Sequence, residues 1–303
     1  MIEVWRGAVE TWECDSNAHL NVRFYLSKAM EGLVGGAAAL GLPHAFQPRA
    51  GATLSVREHH IRYLKEARAG DTLTLTLGVV GMDETGATLF LSMAHAATGK
   101  TAASFTTKVQ HTTALGKPFP WPARVRALGE AIACEIPEEA QPRGTGSNAF
   151  KADLAGAEAA KLVVTGRGAV RPEDVDAFGR LRPEFVRSRG SSAMPPMGGP
   201  LREAAAQMPG ERIRIGGAAV EMRVLYADEL PRAGDLLEMR SGFTKIGPKA
   251  QSLTHWLVDP LSGRGWASVD MVRVNLDLDK RRSLTLPDDV VEKLQTLVTP
   301  GLA

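Results

Sequence analysis

Apolar and polar positions along this chain change period several times, and each change predicts an element. Residues 72–77 alternate strictly between threonine and leucine, the period-two pattern of a strand with one wet and one buried face. Upstream, Leu26, Met30, Leu33, Ala37 and Leu40 step by four and three, so they share one face of a helix that begins near Asn21. Gly32, Gly35, Gly36 and Ala39 form a second face of small residues. Glycine inside a helix costs roughly 1 kcal/mol against alanine, which makes sense where a curved sheet presses on the helix. Residues 2–11 read as a strand. Residues 87–97 and 101–113 complete an antiparallel meander, with Thr85-Gly86 and Thr98-Gly99 as turns.

The pattern then recurs. Strands are expected over 162–171, 212–226, 235–245, 250–259 and 265–276. The helix of this second set is poorer. Pro183 suits a first turn, but Pro195, Pro196, Gly198, Gly199 and Pro200 leave a short helix, an irregular stretch and another helical turn near 201–207. Residue identities repeat too. Glu66-Ala67-Arg68-Ala69-Gly70-Asp71 is matched 164 residues on by Leu230-Pro231-Arg232-Ala233-Gly234-Asp235, and Ala103-Ser104 by Ala267-Ser268. At a spacing of 161, Gly7-Ala8-Val9 matches Gly168-Ala169-Val170, and Asp15, Leu20 and Phe24 match Asp176, Leu181 and Phe185. The chain reads as two copies of one unit, 1–122 and 162–290, with a linker over 123–161. Pro118, Pro120 and Pro122 end the first copy, 123–135 and 153–161 suit short helices, and Pro137, Pro142, Gly144, Gly146 and Ser147 mark the crossing loop. This α+β plan, two tandem units each with a long helix wrapped by a curved antiparallel sheet, resembles a double hot dog.

Composition narrows the classes. Of the 303 residues, 44% are hydrophobic and 23% charged, which excludes wholesale disorder. Lys and Arg number 36 against 34 Asp and Glu, a net +2, so no basic excess calls for nucleic acid. The two cysteines, Cys14 and Cys134, cannot build a disulfide framework or a four-thiolate zinc site, and a reducing compartment follows. No basic-then-apolar leader opens the chain. The longest uncharged stretch, between Glu31 and Arg49, is broken by Pro43, His44, Gln47 and Pro48, short of the ~20 apolar residues of a membrane helix. A soluble, cytoplasmic protein without membrane contact is expected.

Chemistry concentrates just before the first helix. Residues 14–25 read Cys-Asp-Ser-Asn-Ala-His-Leu-Asn-Val-Arg-Phe-Tyr, placing Asp15, Asn17, His19 and Asn21 at alternate positions. Asn17 or Asn21 could serve simply as a helix cap. A carboxylate and an imidazole beside free helix N–H groups are a richer set, able to polarise a carbonyl and hold an oxyanion.

The run Asp-x-Asn-x-His-Leu-Asn-x-x-x-Tyr over 15–25 resembles the signature of hot-dog thioesterases of the 4-hydroxybenzoyl-CoA and acyl-ACP thioesterase type, with strands compatible to about residue 113. It departs from that signature at Val22, where the usual run has a second asparagine. The resemblance implies hydrolysis of an acyl-CoA or acyl carrier protein thioester, with no cofactor and no metal. Asp15 would act as nucleophile or base, Asn17 would position water or substrate, and His19 would orient the thioester or share the acid–base work. Asn21 and Arg23 would be substrate-binding positions, with the backbone N–H groups of residues 21–23 as oxyanion donors. A hot-dog acyl-CoA hydratase or dehydratase, and a non-catalytic acyl-thioester-binding module, are the alternatives. Two units in one chain can pair with each other, so a monomer or a homodimer of double hot dogs is feasible.

The second copy keeps only the aspartate: Asn17, His19 and Asn21 correspond to Phe178, Arg180 and Arg182 beside Asp176. Copy one is thus expected to be catalytic, with copy two completing the paired sheet and part of the acyl or CoA channel. Arg180 and Arg182 read as solvated surface arginines, with a phosphate contact as the functional alternative. His59 and His60 are adjacent on a strand and point to opposite faces, a poor pair for one metal ion. Cys14 reads as a small buried hydrophobe, or else a thiolate near His19. Phe24 and Tyr25 read as packing residues. Trp5, Trp12, Trp256 and Trp266 are expected in the core or sheet interface, and Arg212, Arg214 and Arg223 on a solvated strand face.

Overall fold

The computed structural model describes residues 1–303 except 16, 187, 189–196, 198, 200–202, 204–214, 281, 301 and 303. The helical turn expected near 201–207, apart from the helical residue 203, most of the irregular stretch before it, and Arg212 and Arg214 therefore lie outside the described residues. Helical residues 183–186 mark the short helix expected at Pro183.

In chain order come β1 (Ile2–Ala8), α1 (Val22–Ala39), β2 (Thr53–Tyr63), β3 (Thr72–Met82), β4 (Gly86–His95), β5 (Thr101–Thr112), α2 (Ala123–Ala131) and α3 (Leu154–Ala159). They are followed by β6 (Val163–Ala169), β7 (Ile215–Tyr226), β8 (Leu236–Ile246), β9 (Ala250–Val258), β10 (Gly265–Asp277), β11 (Arg282–Ser283) and α4 (Asp288–Gln295). The strands form one antiparallel sheet in the order β1-β3-β4-β5-β2-β7-β10-β9-β8-β6, with β11 on β10. Read inward from either edge, each half runs first, third, fourth, fifth, second. The seam is β2 against β7, with His60 opposite Arg223 and Arg62 opposite Glu221.

The small-residue face of α1 is where the sheet comes close. A Cβ on Gly35 would stand 2.5 Å from the Val4 carbonyl oxygen, and Cβ atoms on Gly32 and Gly36 would collide with Leu75 and Leu77 of β3. The apolar face buries Leu26, Leu33, Ala37 and Leu40 at no more than 1% exposure, the driving term for docking the helix. Met30 stays partly exposed.

The first strand ends at Ala8, and Thr11–Glu13 make a single 3-10 turn. Trp12 sits on that turn and is 73% exposed, not in the core. Helix α2 stops at Ala131, short of 135, because the chain leaves it to pair with β3 through Val79 N–H to Ile132 O and Cys134 N–H to Val79 O. Helix α4, which the hydrophobic pattern did not announce, packs Val290 and Leu294 on Phe243, Ile246 and Leu253. It stands to β8 as α2 stands to β3: Val79 bridges Ala133 in parallel, and Phe243 bridges Val298.

Arg223 corrects the expectation of a solvated face. It is 8% exposed. Its Nε donates to Glu58 Oε1 at 2.8 Å, and its Nη1 to the carbonyls of Gly146 (3.0 Å) and Asn148 (2.7 Å). Two residues along β7, Glu221 takes the complementary set. It accepts from His60 Nε2 (3.0 Å), Arg62 Nη1 (2.8 Å), Thr145 Oγ1 (2.7 Å) and the backbone N–H groups of Arg143 (3.0 Å), Gly144 (2.8 Å) and Thr145 (3.2 Å). One anion and one cation thus satisfy the donors and acceptors of the crossing loop and clamp it over the seam. Among the described residues, no helix is long and apolar enough to cross a membrane.

Candidate active site

The segment before α1 folds on its own short polar groups. Asn21 is the N-cap: its Oδ1 accepts the Arg23 N–H at 3.0 Å, satisfying one of the first-turn donors. Asp15 closes a tight turn, its Oδ1 accepting the N–H groups of Asn17 (2.8 Å) and His19 (3.2 Å). The main chain reinforces the turn through Asp15 N–H to His19 O (2.8 Å) and Ala18 N–H to Asp15 O (3.0 Å). Ala18 is held at φ +59°, a left-handed conformation that an alanine adopts at a cost of roughly 1–2 kcal/mol.

The same turn recurs in the second half. Asp176 Oδ1 accepts from Phe178 N (2.8 Å) and Arg180 N (3.0 Å), and the left-handed position is Gly179, at φ +76°. The retained aspartate therefore shapes the backbone in both places, and what differs is what the turn presents. Arg180 folds back on Asp176, its Nε 3.1 Å from Oδ2, and lies over the Phe178 ring. With 16% of its side chain exposed, Arg180 is not the solvated arginine expected.

In the leading half His19 Nε2 lies 3.0 Å from Glu66 Oε2, with 12% of the His19 side chain exposed. Asp15, Asn17 and His19 thus share one turn, and Glu66 brings a second carboxylate to the histidine. Sequence reasoning missed Glu66 although its signal was present. The residue 164 positions on from Glu66 is Leu230, and the one 161 positions on from His19 is Arg180. The expected oxyanion donors also need correction. Asn21 N–H is spent on Glu13 O (2.9 Å) and Arg23 N–H on the cap, because a capped helix start satisfies its own donors. Of that trio, Val22 N–H is the donor left to a ligand among the described residues.

Tyr25 and Phe24 pack as expected, and the Tyr25 hydroxyl also accepts the Ala67 N–H at 3.2 Å. Burial pushes its phenol well above the usual range. Cys14 is half-buried against the core. His59 Nδ1 is 2.9 Å from Thr107 Oγ1 on one face and His60 meets Glu221 on the other. Among the described residues, no cluster of His, Cys, Asp and Glu could hold a metal.

A cavity of about 490 Å³ lies between the outer face of α1 and the Asp176 turn. Arg23, Phe24, Ser27, Met30 and Val34 form one wall, and Phe178, Arg180, Arg182, Glu184 and Phe185 the other. Arg23 is on its wall; Asp15, Asn17, His19 and Asn21 are not. The positions 161 residues on from Ser27, Met30, Glu31 and Val34 are 188, 191, 192 and 195, and of these only Ser188 belongs to the described residues.

Residues 9–129 match the family model of the thioesterase-like superfamily. Among curated proteins the chain finds no match. Among solved structures it is similar to a Lactobacillus plantarum protein described as an oleoyl thioesterase, at 15% identity and TM-score 0.66, covering 94% of this chain and 96% of that one. It is also similar to the 12:0-ACP thioesterase of Umbellularia californica, at 10% identity and TM-score 0.62 over 89% and 93% of the two chains. An acyl-ACP thioesterase of Bacteroides thetaiotaomicron matches at 9% identity and TM-score 0.62 over 89% and 96%. The chain thus has the hot-dog fold of these solved structures, and its residues 9–129 carry the likeness to the thioesterase-like superfamily.

Proposed function

We propose that this protein hydrolyses an acyl-CoA or acyl carrier protein thioester at the Asp15 turn, and that it is a double hot dog of two tandem units, 1–122 and 162–290, with 123–161 as linker. The observation that carries the reading is the contrast between the two turns. One backbone shape, held by Asp15 and by Asp176, carries a His19–Glu66 pair in the leading half and an Arg180–Asp176 pair in the other. Only the first carries an imidazole beside a carboxylate, the pairing that general acid–base catalysis most often uses.

In this mechanism Asp15 activates the attacking water and Asn17 positions it. Val22 N–H polarises the thioester carbonyl and holds the oxyanion as it forms. His19, fixed by Glu66, protonates the departing thiolate sulfur. The carbon–sulfur bond breaks, and a free acid and a thiol leave. That two of the similar structures are described as acyl-ACP thioesterases supports an acyl-carrier substrate. Release of thiol from a panel of acyl-CoAs and acyl carrier proteins, followed with a thiol reagent, tests the reading. Loss of enoyl absorbance without thiol release would point to hydration, and binding without either to a non-catalytic module.

A further inference from the structure

The described cavity lies at the turn that lacks the proposed chemistry, and its polar groups are unusual. Glu184 has only 9% of its side chain exposed, and its Oε2 has no hydrogen-bond partner among the described residues. Among the described residues its ion-pair neighbour is Arg182, whose Nε is 3.6 Å from Oε1, beyond hydrogen-bonding reach. Arg23 Nε and Arg182 Nε are likewise buried without an acceptor. Both guanidinium groups lie over the Phe185 ring, Arg23 at 4.7 Å and Arg182 at 4.5 Å, so they are held in place beside the cavity. Buried polar atoms without partners are costly, and here several of them line one space. A volume of about 490 Å³ falls within the roughly 300–1,000 Å³ of small-molecule pockets.

We propose that this cavity is a second ligand site, separate from the Asp15 turn, which binds a carboxylate-headed apolar chain without cleaving it: the head on Arg23, Arg182 and Glu184, the chain against Phe24, Met30 and Val34. Two guanidinium groups supply charge and directed donors to a carboxylate. Burial raises the Glu184 carboxyl above the usual range, which favours the protonated form that donates to the ligand instead of repelling it. The apolar wall excludes a small inorganic anion as the natural occupant. Arg180, already paired with Asp176, is not needed for the head. This goes beyond the hydrolysis reading and does not depend on it.

Calorimetric titration of the full chain with decanoate and with decanol tests the proposal. Saturable decanoate binding is expected, at least about tenfold tighter than decanol, a charge-assisted difference of about 1.4 kcal/mol. Arg182→Gln should weaken decanoate binding at least about tenfold. Ser27→Phe, which places a ring in the cavity from a half-buried position, should abolish it while leaving the thermal melt in place. His19→Ala, impaired in hydrolysis on the reading above, should bind decanoate like the wild type, which separates the two sites. Absence of saturable binding, equal affinity for decanol, indifference to both Arg182→Gln and Ser27→Phe, or loss of binding in His19→Ala would each overturn it.

Discussion

Glu221→Gln should unfasten the seam between the two halves of the sheet. The carboxylate is 1% exposed and receives the Arg62 guanidinium, the His60 ring, the Thr145 hydroxyl and the N–H groups of residues 143–145. Glutamine keeps one acceptor oxygen, but it turns an NH2 toward a ring of donors and strips Arg62, itself 9% exposed, of its counter-charge. Removing one partner from a buried pair costs about 3–5 kcal/mol, and at about 2–4 °C per kcal/mol for a chain of this size Tm should fall by roughly 6–20 °C. Burial alone would push the Glu221 carboxyl up; the bonds from His60, Thr145 and Arg143 N–H outweigh it and hold it well below the usual carboxylate range. A depressed folded-state pKa means that this stabilisation is complete above the unfolded glutamate value of about 4 and is lost as pH falls beneath it. The assay is thermal unfolding by circular dichroism from pH 7 to pH 3, with limited trypsin digestion at Arg143. The variant should melt early, lose part of the acid sensitivity and be cut faster in the loop. A melt within about 2 °C of the wild type, with an unchanged rate of cutting, would refute the clamp.

Three further outcomes follow from single positions. Burial holds the His59 imidazole down to about 3, so its contribution is intact above the unfolded value near 6.5 and drains away as pH falls toward 3, by roughly 1 kcal/mol per pH unit; His59→Gln should flatten that part of the Tm–pH curve, and an unchanged slope would contradict the assignment. Gly35→Ala sets a methyl 2.5 Å from the Val4 carbonyl, backbone that cannot step aside, and should cost about 1–3 kcal/mol in urea unfolding; a neutral result would mean α1 does not touch β1 there. Ala18→Gly relieves the left-handed strain and should raise stability by up to about 1 kcal/mol, whereas a lowered midpoint would show that Ala18 is not strained.

Local features were legible in the sequence because they depend on neighbours along the chain. The start of α1 is announced by Asn21 ahead of a helical apolar period, and the strict alternation of 72–77 becomes the buried-out rhythm of β3. The turn at Asp15 was visible as a cluster of short polar side chains. Partners brought together by the fold were not. Arg223 looks like any strand arginine until β2 places Glu58 beside it, and His60 looks like half a metal site until β7 supplies Glu221. Glu66 sits 47 residues after His19, and only the matching leucine in the second copy hinted at its role. Helix α4 escaped because it fully buries just two residues, Val290 and Leu294, in a short and mostly polar segment. Its counterpart α2 was the available clue.

The central claim is that the leading turn does chemistry and its twin does not, and thiol release by matched aspartate variants tests it most directly. Asparagine at either position retains the Oδ1 that accepts the two N–H groups, so Asp15→Asn and Asp176→Asn should both keep their turns. With the acyl thioester the wild type turns over fastest, Asp15→Asn and His19→Ala should each lose about 10²–10⁴ in kcat/KM, and Asp176→Asn should stay within about threefold of the wild type. Full activity in Asp15→Asn together with collapse in Asp176→Asn would place the reaction in the other half and contradict the account.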